Sequence, residues 1–239
     1  MKLDARLNLF VTLVAVFMVC LVVGDLIGGK LTSFELFGRE WVFSVGQIAF
    51  PVTFILTDIL NEFYGRKVIR RVTFLAFVMV GLSFAIIYIA GSLPWWSAAT
   101  TPEWEKAGGV TPKAFTAVFT QATKIQLASM IAFLIGNLVD ISVFFVLKKA
   151  TGNRMLWLRA TGSTAVSQLI DTFVISAIIW LGKVSVGDYL VIVFTSYAVK
   201  LTAAIVVTPL IYGLHELIER WFGIEPAAVE TTADDETRA

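Results

Sequence analysis

Four aspartates and one lysine lie inside long apolar runs of this chain: Asp25, Asp58, Asp140, Asp171 and Lys200. A charge at the centre of a hydrocarbon layer costs about 2.5–3.5 kcal/mol on insertion scales, so each position invites a role in binding or ion movement. Their neighbours are polar at helical spacing. Gln126, Ser129, Gly136, Asn137 and Asp140 fall on one face of a helix, and so do Thr164, Ser167, Gln168 and Asp171. Faces of this kind turn toward a bundle interior. They serve either interhelical hydrogen bonds, worth about 0.6–2 kcal/mol each, or a polar binding site.

Depth connects two of the charges. Asp171 lies roughly 16 Å from one end of its apolar run and Lys200 roughly 16 Å from the end of the next run that faces the opposite side, at 1.5 Å per residue. Both therefore sit near the middle of a core about 30 Å thick, and antiparallel neighbours would bring them together. A neutralised pair costs less than two lone charges, and the pair could be structural or functional. Asn137-Leu138-Val139-Asp140 and Gln168-Leu169-Ile170-Asp171 repeat the order amide, Leu, aliphatic, Asp on runs of opposite direction, the pattern an inverted repeat would leave. Pro51 is expected to interrupt its helix and free a carbonyl. Asp58 and Glu62 are an i, i+4 pair, with Glu62 expected as a solvated partner of Arg66 at the interface.

The elements that hold these residues follow from composition. Of 239 residues 57% are hydrophobic and only 15% charged, with mean hydropathy +0.81; a soluble domain carries roughly 25% charged residues. Lipid is the solvent that permits so apolar an exterior. The fold class is all-α, a polytopic integral membrane protein, because lipid-embedded backbone must be satisfied within each segment. Six runs are long enough to span: 7–27, 42–61, 72–92, 125–147, 161–181 and 189–214. The first, preceded by Lys2 and Arg6, is too long for a signal peptide and is taken as an uncleaved span. A bundle of six transmembrane helices over 1–222 forms one domain. Residues 223–239 read as an acidic, disordered cytoplasmic tail. Between spans three and four, Phe115, Val118, Phe119 and Ala122 predict a short amphipathic helix on the outer surface, with Trp95, Trp96 and Trp104 in the interfacial belt.

Twelve of the 19 Lys and Arg residues fall on the side that holds both termini and six on the other, with Lys200 inside a span. The positive-inside rule then puts both termini in the cytoplasm. The net charge of +1 argues against a nucleic-acid partner. A single cysteine, Cys20, and a single histidine, His215, leave no material for a thiolate or histidine metal site, and no cofactor is implied. No HExxH, GxSxG or P-loop occurs, so the chain is not read as an enzyme.

Four ordered segments carry a family resemblance. They are Phe50-Pro51-Val52-Thr53 through Thr57-Asp58-Ile59-Leu60-Asn61-Glu62-Phe63-Tyr64-Gly65, Ala128-Ser129 through Gly136-Asn137-Leu138-Val139-Asp140 and Val143-Phe144, Gly162-Ser163-Thr164 through Gln168-Leu169-Ile170-Asp171-Thr172, and Tyr197-Ala198-Val199-Lys200 with Pro209-Leu210-Ile211-Tyr212-Gly213. Together they resemble the queuosine precursor transporter family, also called the vitamin uptake transporter family. The resemblance implies six spans in a cell inner (cytoplasmic) membrane and import of 7-deazaguanine precursors for queuosine salvage. The alternative it leaves open is a membrane-embedded substrate-binding subunit of a vitamin importer, energised by a separate partner. A homodimer is a further expectation. Similar proteins often carry Asn before a Lys at the end of the first span, where this chain has Asp25 before Lys30.

The chemistry of such a substrate suits the candidate residues. A deazaguanine base offers N–H donors to carboxylates and a mixed edge to amides. The expected binding set is Asp58, Gln126, Asn137, Asp140, Gln168, Asp171, Tyr197 and Lys200. Phe54, Phe133, Phe173 and Tyr197 are the candidates to stack on the ring. On the topology, a cysteine placed at Ser97 should react with an impermeant thiol reagent in intact cells and one at Thr232 should not. The reverse labelling would overturn the orientation.

Overall fold

The computed structural model describes residues 4–28, 30–36, 39–120, 123–152, 154–180, 182 and 184–227. Among the described residues the fold is all-α apart from one hairpin. Helix α1 (Ala5–Ile27) leads into an antiparallel pair, β1 (Leu31–Leu36) and β2 (Arg39–Ser44), with Leu31 opposite Ser44. A 3-10 turn, Val45–Ala49, then enters α2 (Phe50–Tyr64), and α3 (Arg66–Ser92) follows after Gly65. Gly65 has φ 81°, a left-handed conformation that glycine adopts without steric cost. After two one-turn helices, α4 (Pro102–Lys106) and α5 (Pro112–Phe115), come α6 (Thr123–Thr151), α7 (Leu156–Trp180) and α8 (Val186–Phe222). Among the described residues four helices are long and apolar enough to cross a membrane: Ala5–Ile27, Arg66–Ser92, Ala128–Thr151 and Tyr189–Phe222.

Two of the expected spans, 42–61 and 161–181, are not among these four, and the first of them differs in its secondary structure. Residues 42–49 are strand and 3-10 turn, and helix begins only at Phe50. Pro51 sits at the first turn of α2, where its missing N–H leaves no ladder bond unmade, so it starts the helix and does not break it. The hairpin base is tied to the end of α1. The Ser44 hydroxyl donates to the Gly28 carbonyl at 2.7 Å, and the Val45 N–H to the Lys30 carbonyl at 2.8 Å. Gly46 lies directly on Gly24, where any side chain at Gly46 would collide with the Gly24 carbonyl oxygen. In the third connection, Phe115 and Phe119 pair their rings at 4.9 Å, but the backbone there is one α turn running into a π turn, Thr116–Thr120; Ala122 lies outside the described residues.

Helix α2 is the centre of the bundle. Ten of its 15 residues are buried, which is why it needs no lipid-facing apolar surface. On one side Leu56 and Leu60 pack with Phe17 of α1, Ile69, Val72 and Ala76 of α3, and Ile141 of α6. On the other, Ile59 and Phe63 pack with Leu156 and Ala160 of α7 and Ile211 and Ile218 of α8.

At the end of the bundle where α1 begins and α8 ends, Glu62 departs from the sequence reading. It is 1% exposed and is met by Arg159 Nη2 at 2.9 Å and Lys148 Nζ at 3.4 Å, both buried, with His215 Nε2 at 3.9 Å. Arg66 is not its partner, because the packing of α6 and α7 brings deeper cations closer than the helix's own next turn. Past α8 the chain stays on this cluster. Ile224 is buried, and the Ala227 N–H donates to the Glu62 carbonyl at 2.8 Å. Residues 223–227, the start of the expected tail, thus lie against the bundle; residues 228–239 lie outside the described chain. Glu62→Gln would strand two buried cations, and removing one partner of a buried pair costs about 3–5 kcal/mol. The variant should show a markedly lower thermal midpoint in detergent; an unchanged midpoint would show that the cluster does not hold this end together.

Candidate substrate cavity

A cavity of about 530 Å³ runs from the hairpin end of the bundle into its middle. That is the range of small-molecule pockets, about 300–1,000 Å³. Its walls come from α1, the 3-10 turn, α2, α3, α6, α7 and α8. Phe17, Phe50, Phe54, Phe77 and Phe133 give it flat apolar surfaces, and Asp25, Asn137, Asp140, Gln168, Asp171 and Lys200 supply polar groups.

The mid-depth ion pair is present. Lys200 Nζ donates to Asp171 Oδ2 at 2.6 Å, between adjacent antiparallel helices, as equal depth requires. The same ammonium lies 4.9 Å from the centroid of the Phe50 ring, a cation–π distance. Asp25, also in the wall, accepts from the Ser129 hydroxyl at 3.2 Å.

Helices α6 and α7 are the most extensively packed pair in the fold. Gly136 makes this possible: a Cβ built there would stand 3.2 Å from the Asp171 Cβ. In the same register Ser167 donates to Asp140 Oδ1 at 3.1 Å. The residue before each amide of the repeated motif therefore meets the aspartate of the other motif. The two motifs cross at their centres, the arrangement a local two-fold would give. Sequence alone shows the repetition but not the register.

Five of the eight expected binding residues line this cavity: Asn137, Asp140, Gln168, Asp171 and Lys200. Asp58 does not. It is 2% exposed, buried in the bundle, while its neighbour Thr57 faces the cavity. Tyr197 is also elsewhere; its hydroxyl donates to the Ala165 carbonyl at 3.1 Å, so it ties α8 to α7. The side chain of Gln126 lies outside the described residues. Of the stacking candidates, Phe54 and Phe133 line the cavity, whereas Phe173 is 52% exposed and pairs with Tyr189 on the outside. Asp25, Ser129, Thr53 and Phe50, which were not among the expected binding residues, also stand in the cavity wall. Asp25 carried the available signal, a charge in an apolar run; Phe50 carried none that sets it apart from 18 other phenylalanines.

Comparison with known proteins identifies relatives of the chain. The family described as "Putative vitamin uptake transporter" matches residues 44–214, which hold the 3-10 turn and α2 through most of α8. A protein of Bacillus subtilis (strain 168) named "Probable queuosine precursor transporter" is 30% identical over 186 residues, covering 77% of this chain and 76% of that protein. A protein of Escherichia coli (strain K12) named "Queuosine precursor transporter" is 28% identical over 127 residues, 53% of this chain and 50% of its own length. No solved structure matches. With its apolar helices, its polar cavity and a match that spans most of its length, the chain belongs to the vitamin uptake transporter family.

Proposed function

We propose that this protein is a membrane transporter that imports queuosine precursors, 7-deazaguanine bases, across the cytoplasmic membrane. The observation that carries the reading is the cavity itself: carboxylates, amides and one ammonium converge on a space bounded by phenylalanine faces. A deazaguanine base has matching parts. Its amino and ring N–H groups donate to Asp140 or Asp171, its carbonyl accepts from Asn137, Gln168 or Lys200, and its faces rest on Phe50, Phe54 or Phe133. The names of the two relatives support the substrate class.

The finer architecture belongs to the same proposal. Six helices cross the bilayer, with α2 and the hairpin together completing the second crossing, and both termini lie in the cytoplasm. The turns around residues 97–120 lie along the outer surface. A homodimer belongs to the same proposal.

Uptake of a labelled 7-deazaguanine base by cells lacking their own importer tests the reading. Expression of this chain should confer accumulation, and Asp140→Asn or Asp171→Asn should abolish it at near-normal membrane levels. Full-rate transport by both variants would place the site elsewhere. Lys200→Met should also fail, since it leaves Asp171 buried without its cation. Exchanging the pair, Asp171→Lys with Lys200→Asp, should restore folding but not transport if either group touches the substrate. Uptake by the purified chain in proteoliposomes, with no second protein present, separates a carrier from a binding subunit energised by a partner.

A further inference from the structure

The cavity wall is out of electrical balance. Three carboxylates stand in it, Asp25, Asp140 and Asp171, against one ammonium, Lys200. Lys200 is committed to Asp171 at 2.6 Å. Asp25 has the Ser129 hydroxyl on Oδ1 at 3.2 Å, a neutral donor that leaves its charge without a counter-ion. Among the described residues no cation pairs with it; Lys30, the next basic residue along the chain, is exposed and enters no ion pair there. Asp140 is 6% exposed, and its Oδ2 has no hydrogen-bond partner among the described residues. Carboxylates left this way in an apolar wall are costly, and a cation entering the cavity relieves that cost.

The position of Asp25 says where on a ligand the cation belongs. Ser129, which holds Asp25, lies seven residues before Gly136 on α6, and Gly136 stands level with Asp171. Asp25 is therefore about two helical turns nearer the hairpin end than Asp171, roughly 10 Å at 1.5 Å per residue. Phe133, one turn from Ser129 on the same helix, lines the interval between them.

We propose that the transported base carries a protonated amine on a short arm, and that Asp25 is the residue that selects it. This rests on the transport reading above and names the substrate class of the same cavity. The polar edge of the rings is held at the level of Asp171. The arm extends toward the hairpin end, where Asp25 receives the ammonium on its Oδ2 and the face of Phe133 lies beside it. A two-ring base with a one-carbon arm has the reach to touch both levels. A primary amine stays protonated to about pH 10, so the cation is the form present at neutral pH. A neutral arm of the same size leaves the Asp25 charge unmet, and that unmet charge discriminates as much as the ion pair does.

The Ser129 contact would also suit a residue that only ties α1 to α6, so the test removes the charge and keeps the tie. Asp25→Asn retains an oxygen for the Ser129 hydroxyl. Purified protein in proteoliposomes exchanges a labelled base against two unlabelled competitors that differ in the arm alone: 7-aminomethyl-7-deazaguanine, which is charged, and 7-hydroxymethyl-7-deazaguanine, which is neutral. In the wild type the charged base should compete at a concentration about tenfold or more below the neutral one, as one partly buried ion pair requires. In Asp25→Asn the ratio should fall to about one, whatever rate remains, and Asp25→Glu should keep a preference for the charged base. An unchanged ratio in Asp25→Asn overturns the proposal, and so does loss of both bases alike, the result of a residue that only ties the helices. A wild type that takes the neutral base as readily as the charged one overturns the proposal and leaves the transport reading standing. A wild type that exchanges neither base removes the transport reading itself.

Discussion

The close approach of α7 to α6 at Gly136 sets the geometry of everything in the middle of the bundle. With no side chain there, Asp171 can lean against α6, and the antiparallel register that results puts Ser167 on Asp140. Asp140 then stands level with Ser167, one helical turn from Asp171, which stands level with Gly136. Helix α8 completes the arrangement by bringing Lys200 to that level. A larger residue at position 136 would separate the helices, and the loss would extend to the cavity, since Gly136, Asn137 and Gln168 all stand in its wall.

Three buried charge groups succeed one another along the bundle, and each is handled by a different device. Asp171 has a fixed counter-ion and an aromatic face under that ion. Glu62 has two buried cations, one of them, Arg159, further held by the Gly152 carbonyl at 2.6 Å. Asp140 accepts from the Ser167 hydroxyl, and among the described residues no ion pair reaches it or Asp58. Fixed partners make the first two groups permanent features of the fold.

What the sequence made legible follows from the range of the physics involved. The Asp171–Lys200 contact could be anticipated because membrane thickness converts residue number into depth, and depth is a one-dimensional property of the chain. The polar faces of α6 and α7 were visible for a similar reason, since helical periodicity is local. The fate of Glu62 was hidden, because Lys148 and Arg159 reach it from helices far away in the chain and no local pattern distinguishes them from Arg66. The hairpin was hidden too: Trp41, Val42 and Phe43 are as apolar as a span, and they join the following apolar run without a break. Tyr197 shows the limit from the other side. A side chain at the right depth, on the right helix, was turned by a single hydrogen bond to a neighbouring carbonyl.

Helix α8 is unbroken from Val186 to Phe222, and Pro209 lies within it. Lys200 on this helix touches the cavity, and His215 on the same helix stands at the Glu62 cluster. The two are 15 residues apart, roughly 22 Å along the axis at 1.5 Å per residue. A rod of that length behaves as a lever: a tilt of about 5° pivoting at one end sweeps the other by about 2 Å, enough to make or break an ionic contact. Pro209, which removes one rung from the ladder between the two points, marks where such a lever can flex. Whatever occupies the cavity and alters the hold of Asp171 on Lys200 is thereby mechanically in touch with the far end of the molecule.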